Sequence, residues 1–271
     1  MHPFALARGR LAAALVVFAA GTPVGAQIMV SSPSVVEQTA HPGGRYTGTI
    51  IVQNTSAASQ RITARVVDYS FDADGTSRYD NPGTQPRSSA RWITLSPRTA
   101  EVPAKKSVAL AYTIQVPASD TLTGSYSSMV LVTTPLQAGD VVRPHGGRAN
   151  AGIKSDMSYG IQLATHLGGA APSRFAMGEL TTGTAAGRVR NVGVTVRNTG
   201  ARAQRPIVSI EIYTDDGTLV ASQKAQRGLI YPGSSVRQTF TLPSVPRGSY
   251  RALLQTDTGE DIFAMQARVS F

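Results

Sequence analysis

The chain contains no cysteine, which removes disulfide staples and thiolate metal sites together. Stability must come from buried apolar surface, and 271 residues are enough to build two cores. Histidine is scarce too: beyond His2 there are only His41, His145 and His166, thin material for a zinc or haem centre. No metal and no cofactor is therefore expected. Lysine is confined to Lys105, Lys106, Lys154 and Lys224, so the formal charge of +10 is carried by arginine. Those arginines stand singly along strand-like segments, without the basic runs and interleaved aromatics that track a phosphate backbone, and no nucleic-acid partner is expected. Nor is there a Gly-x-Ser-x-Gly elbow or another recognisable nucleophile frame, so no catalytic residue is assigned and no enzyme is expected.

After residue 26 no window shows the 3.6-residue apolar stripe of an amphipathic helix, and no second apolar run follows the first. That first run, Leu11–Ala20, follows Arg8 and Arg10 and precedes the small residues Gly21–Ala26. It is too short to cross a bilayer, which takes roughly 20 apolar residues, and its three-part layout reads as a signal peptide spanning 1–26. Loss of Arg8 and Arg10 with that leader takes the charge from +10 to +8. The mature chain is expected in the periplasm or outside the cell, with no transmembrane segment.

The strongest internal signal is a weak repeat. Gly44-Arg45 leads through an alternating run to Asn54-Thr55-Ser56, and Gly187-Arg188 leads to Asn198-Thr199-Gly200. A second run follows each, ending in Asp72-Ala73-Asp74-Gly75 and in Asp215-Asp216-Gly217. Asp-Gly between such runs signals a hairpin. The first of these also looks like the opening of a calcium loop but lacks the closing glutamate, so a turn is the expectation. Val102-Pro103-Ala104 is matched by Tyr231-Pro232-Gly233, and Gly124-Ser125-Tyr126 by Gly248-Ser249-Tyr250. Segments such as Tyr46–Val52, Ile62–Tyr69, Val108–Val116, Val192–Val196 and Ile207–Ile212 alternate with period two. The expected fold is all-β: two consecutive immunoglobulin-like sandwiches, at 27–170 and 171–271. Trp92, the sole tryptophan, is expected to plug one end of the first core, the alternative being a ligand-stacking role.

Gly48–Thr55 (GTIIVQNT), Trp92–Pro97, Val102–Val116 and Gly124–Val132 resemble the PapD-like periplasmic chaperone domain. They are at least as similar to the peptidoglycan-binding domain of WxL-interacting surface proteins. The chaperone resemblance implies a non-catalytic, extracytoplasmic role in pilus or surface-protein assembly, in which strand edges pair with an envelope polypeptide, a pilin-like client. The strands implied are Ser125–Thr133 and Gly152–Leu167, the latter with Met157, Tyr159, Ile161 and Leu163 on one face. That alternating face serves equally to fill the protein's own core, and the sequence leaves both uses open. The basic pair with which the chaperone family anchors its client's terminal carboxylate is missing: Ile28–Gly43 holds no Lys or Arg, and Gln162 stands mid-strand. The other resemblance implies a surface adhesion module binding peptidoglycan or another glycan; those proteins usually carry a membrane span and basic tail, so some other tether is expected here. Leu136–Asn150 reads as a long loop, and its Arg143, His145 and Arg148 are candidates for meeting acidic groups on a partner or an anionic glycan.

Overall fold

The computed structural model describes residues 28–134, 156–169, 171–185, 189–243 and 245–271. The candidate loop residues Arg143, His145 and Arg148, and the expected signal peptide at 1–26, lie outside them. Among the described residues every element is a strand apart from one 3₁₀ turn, Ala90–Trp92. No helix among the described residues is long and apolar enough to cross a membrane.

Ten strands build the first sandwich: β1 (Ile28–Val30), β2 (Val35–Ala40), β3 (Arg45–Asn54), β4 (Gln60–Phe71), β5 (Ser77–Asp80), β6 (Ile93–Ser96), β7 (Thr99–Val102), β8 (Ser107–Gln115), β9 (Gly124–Thr134) and β10 (Met157–Leu167). One sheet runs β1-β3-β8-β6; the other runs β2-β10-β9-β4-β5, with β7 beside β4. Their alternating inward residues, among them Ile50, Val52, Ile62, Leu110, Ile114, Val130, Val132, Ile161 and Leu163, form one core. Trp92 packs half-buried against this core, its ring 4.7 Å from that of Tyr126, and so takes the packing role.

The second sandwich uses β11 (Phe175–Ala185), β12 (Val189–Asn198), β13 (Ile207–Tyr213), β14 (Leu219–Gln226), β15 (Ser235–Leu242), β16 (Ser249–Asp257) and β17 (Ile262–Ser270). Here β11-β12-β15 faces β14-β13-β16-β17 across a core that includes Val192, Val194, Val196, Ile210, Phe240 and Leu254. Both Asp-Gly segments are hairpin turns. Gly75 (φ 88°) closes β4–β5, where Asp72 N–H donates to Thr76 O, and Gly217 (φ 89°) closes β13–β14, where Thr214 N–H donates to Thr218 O. Asp72 is not set for a cation, because its carboxylate holds Arg78 and Arg197.

The repeated Asn-Thr dipeptide has one structural meaning in both sandwiches. Asn54 and Asn198 are fully buried. Asn54 Nδ2 donates to Ala58 O (2.7 Å) and Val102 O (2.9 Å), while its Oδ1 accepts the Ser56 N–H (2.9 Å). Asn198 Nδ2 donates to Arg202 O (2.7 Å) and Ile230 O (2.9 Å), and its Oδ1 accepts the Gly200 N–H (2.9 Å). The side-chain amide thus ties the loop after the strand to the turn that opposes it, which no apolar residue can do.

Candidate functional site

The N-terminal strand divides itself between the two sheets, and this creates the candidate surface. β1 pairs antiparallel with Val52–Asn54 of β3 in one sheet. After Ser31–Ser34 the chain crosses over, and β2 pairs in parallel with Gln162–Leu167 of β10 in the other. β10 is held along its whole length by β9 on its opposite side. Met157–Ile161 therefore has a partner on one side only among the described residues. Gln162 N–H donates to Ser34 O on the β2 side, and strand backbones alternate, so the N–H and C=O of Ser158 and Gly160 point out from the same open edge.

The side chains of this strand divide sharply. Ile161 and Leu163 are each 1% exposed within the first core. Turning them toward a partner would forfeit burial worth roughly 1.5–3 kcal/mol apiece. Tyr159 is half-buried, and its hydroxyl donates to Ile28 O of β1. Met157, 43% exposed, is at the rim next to the Tyr159 hydroxyl. Presentation of Ser125–Thr133 to a client requires correction: β9 lies between β10 and β4, and where β4 diverges, Arg87–Ser89 takes its place against Ser127, so no edge is free.

The even-numbered face of β10 meets the second sandwich, a contact with no sequence signal of its own. Ala164 packs against Leu229 and Tyr231, joined by Val35, Tyr69, Phe71 and Ala203. Tyr231 donates to Gln162 Oε1 (2.5 Å), and burial raises the phenol's pKa far above the ordinary value. Ser125 N–H donates to Ala201 O (2.8 Å), and Ser125 Oγ accepts the Ala203 N–H (2.8 Å). Gly124, at φ 77°, lies so close to Ala201 that a Cβ would fall 2.3 Å from its carbonyl oxygen, which explains the glycine of that Gly-Ser-Tyr.

Ser125, His166 and Glu37 form a chain resembling a hydrolytic triad, with Ser125 Oγ 2.9 Å from His166 Nδ1 and His166 Nε2 3.2 Å from Glu37. Ser125 and His166 border a cavity of about 400 Å³ between the sandwiches that Arg202 also lines. A nucleophile must offer its oxygen to a carbonyl carbon. Ser125 is 2% exposed and its oxygen already accepts the Ala203 N–H, while Arg205 holds both oxygens of Glu37. The three residues act as a fastening of the joint. The ring of His41, the other described histidine, bonds to the carbonyl of Pro42. No group of His, Asp and Glu suited to a metal occurs among the described residues.

Hydrogen bonding from Arg205 holds the Glu37 carboxyl below the ordinary glutamate pKa against the opposing effect of burial, with the Arg205 charge and His166 adding to it. A carboxyl depressed in the folded state contributes stability that is complete above the unfolded pKa and disappears as pH falls through the folded one. Glu37→Gln is accordingly expected to lower the melting temperature at pH 7, with the gap to the parent closing from about pH 4.5 downward. Thermal melts at stepped pH check this; a gap independent of pH would rule out the carboxylate as its source.

No family model matches the chain, and no curated protein matches it in sequence. Among solved structures it is similar to one from a chaperone–tip adhesin complex of CFA/I fimbriae biogenesis, at 12% identity and TM-score 0.46, covering 91% of this chain and 100% of that one. It is also similar to the class 5 fimbriae chaperone CfaA, at 13% identity and TM-score 0.45, covering 90% and 100%. A third is the CsuC–CsuE chaperone–tip adhesion subunit pre-assembly complex of Acinetobacter baumannii Csu pili, at 15% identity and TM-score 0.42, covering 89% and 98%.

Proposed function

We propose that this protein is a non-catalytic, chaperone-like binding protein of the extracytoplasmic space that holds a client polypeptide, of the pilin or surface-subunit type, by adding one of its strands to β10. The reading rests on one observation: the edge at Met157–Ile161 is left without a described partner while the rest of the strand is closed by β2. An unpaired edge is a template for another strand. The client's backbone would meet Ser158 and Gly160, and its side chains would meet Met157 and Tyr159 at the rim. Ile161 and Leu163 would support the edge from inside the core. The leader at 1–26 carries the chain to the compartment where such clients fold.

Ser158→Pro tests this reading. It removes an N–H that points away from β9, a position where proline is tolerated. An affinity-tagged chain expressed in its host is expected to recover one client in near-equal amount. The variant is expected to recover about tenfold less or lower still, with its melting temperature within a few degrees of the parent. Undiminished recovery would refute pairing at this edge.

A further inference from the structure

The inward-facing positions of β12 read Arg190, Val192, Val194, Val196 and Asn198, an apolar centre with a polar residue at each end. At one end Asn198 has all its bonding groups engaged. At the other, Arg190 is 4% exposed, yet among the described residues its side chain makes one hydrogen bond, from Nη1 to Thr184 Oγ1 (3.0 Å). Its Nε is buried with no partner, and no carboxylate pairs with it among the described residues. A guanidinium presents five donors in a fixed planar fork, and burying one without an anion is costly. The arginines that do have an acid partner lie further out: Arg78 and Arg197 share Asp72, Arg205 holds Glu37, and Arg237 meets Glu179, all of them far more exposed than Arg190.

We infer that Arg190 is the floor of an anion site at this end of the second sandwich and that its ligand is a carboxylate. Thr184, across the strand pair from Arg190, is exposed, so the bond from Nη1 ends on a residue at the rim. A planar carboxylate matches that fork in two parallel bonds, and the Thr184 hydroxyl would supply a third contact. The site is independent of the β10 edge, being built on β11 and β12 of the other sandwich.

The test is thermal melting of the full chain in N-acetylalanine, which has a free α-carboxylate, and in N-acetylaspartate diamide, in which both carboxyls are neutral amides. N-acetylaspartate α-amide, with a free side-chain carboxylate, forms a third arm, and sodium chloride at matched ionic strength is the control. One or both free acids are expected to raise the melting temperature by about 3 °C or more near a hundredfold excess over Kd, with no rise from the diamide. The acid that acts tells a chain terminus from a side chain as the natural source. Arg190→Met is expected to melt higher than the parent in chloride, since it replaces an unpaired buried charge, and to lose the response. No rise above chloride in the parent, or an equal rise in Arg190→Met, would overturn the assignment. Should that variant fail to fold, the Arg190 Nε–H resonance of the parent decides: it must shift with the acid and stay unmoved by the diamide.

Discussion

Replacing Asp68 by alanine is expected to destabilise the first sandwich by about 3–5 kcal/mol, more than any other single change outside the apolar core. Asp68 is fully buried on β4. Its oxygens accept the N–H groups of Gly83 (3.2 Å), Thr84 (2.7 Å) and Gln85 (2.8 Å), as well as the hydroxyls of Thr84 and Ser88. This one carboxylate therefore fixes the segment from Gly83 to Ser88. That segment continues into Ser89, which runs beside β9 through Ser127 and bonds Ser128 by its hydroxyl (3.1 Å). Each backbone donor left without an acceptor costs roughly 1–3 kcal/mol, and alanine would strand several at once. Trp92, adjoining the segment and unique in the chain, reports the event. Its fluorescence should lose its native signal at markedly lower urea in Asp68→Ala, with Asp68→Asn intermediate because one oxygen remains. A midpoint equal to the parent's would show that the segment holds without the carboxylate.

Asn198→Leu is expected to cost about 2–4 kcal/mol, although leucine matches the amide closely in size. The substitution leaves Arg202 O, Ile230 O and the Gly200 N–H without partners inside the protein. It also frees the loop whose Ala201 O and Ala203 N–H dock on Ser125. Asn54→Leu should cost a similar amount, since it breaks the same three bonds in the first sandwich, but it should leave the joint intact. Proteolysis of the joint separates the two: Asn198→Leu should be cleaved faster between the sandwiches at temperatures where both variants remain folded. Equal cleavage would mean that the joint does not depend on this amide.

Much of the architecture was legible in the residues, because alternation and turn chemistry are local. Ile62–Tyr69 and Val108–Val116 became β4 and β8 within a few residues of the expected ends, and both Asp-Gly pairs became hairpin turns. The short strands β2, β5 and β7 were not singled out, since Val-Val-Glu-Gln-Thr-Ala and Thr-Ala-Glu-Val carry little apolar alternation and owe their form to neighbours already in place. The apolar face at Met157–Leu163 was visible, but its use was not. A half-buried strand alternates in the same way whether it packs inward or meets a partner. Arg190 gave no signal either, as one more scattered arginine in an arginine-rich chain.

The order of landmarks, the absence of helical stripes and the paired asparagines settled in advance that the chain forms two all-β cores, because side-chain period and turn residues act over a few positions along the backbone. Which edge of β10 is unpaired among the described residues, and which serine and histidine fasten the joint, were settled by the crossing of β1 into β2 and by the packing of one sandwich on the other. Several of those contacts join residues more than a hundred positions apart, such as Glu37 and Arg205 or Ile28 and Tyr159. No local pattern encodes such pairs, since their proximity exists only once both sheets have closed.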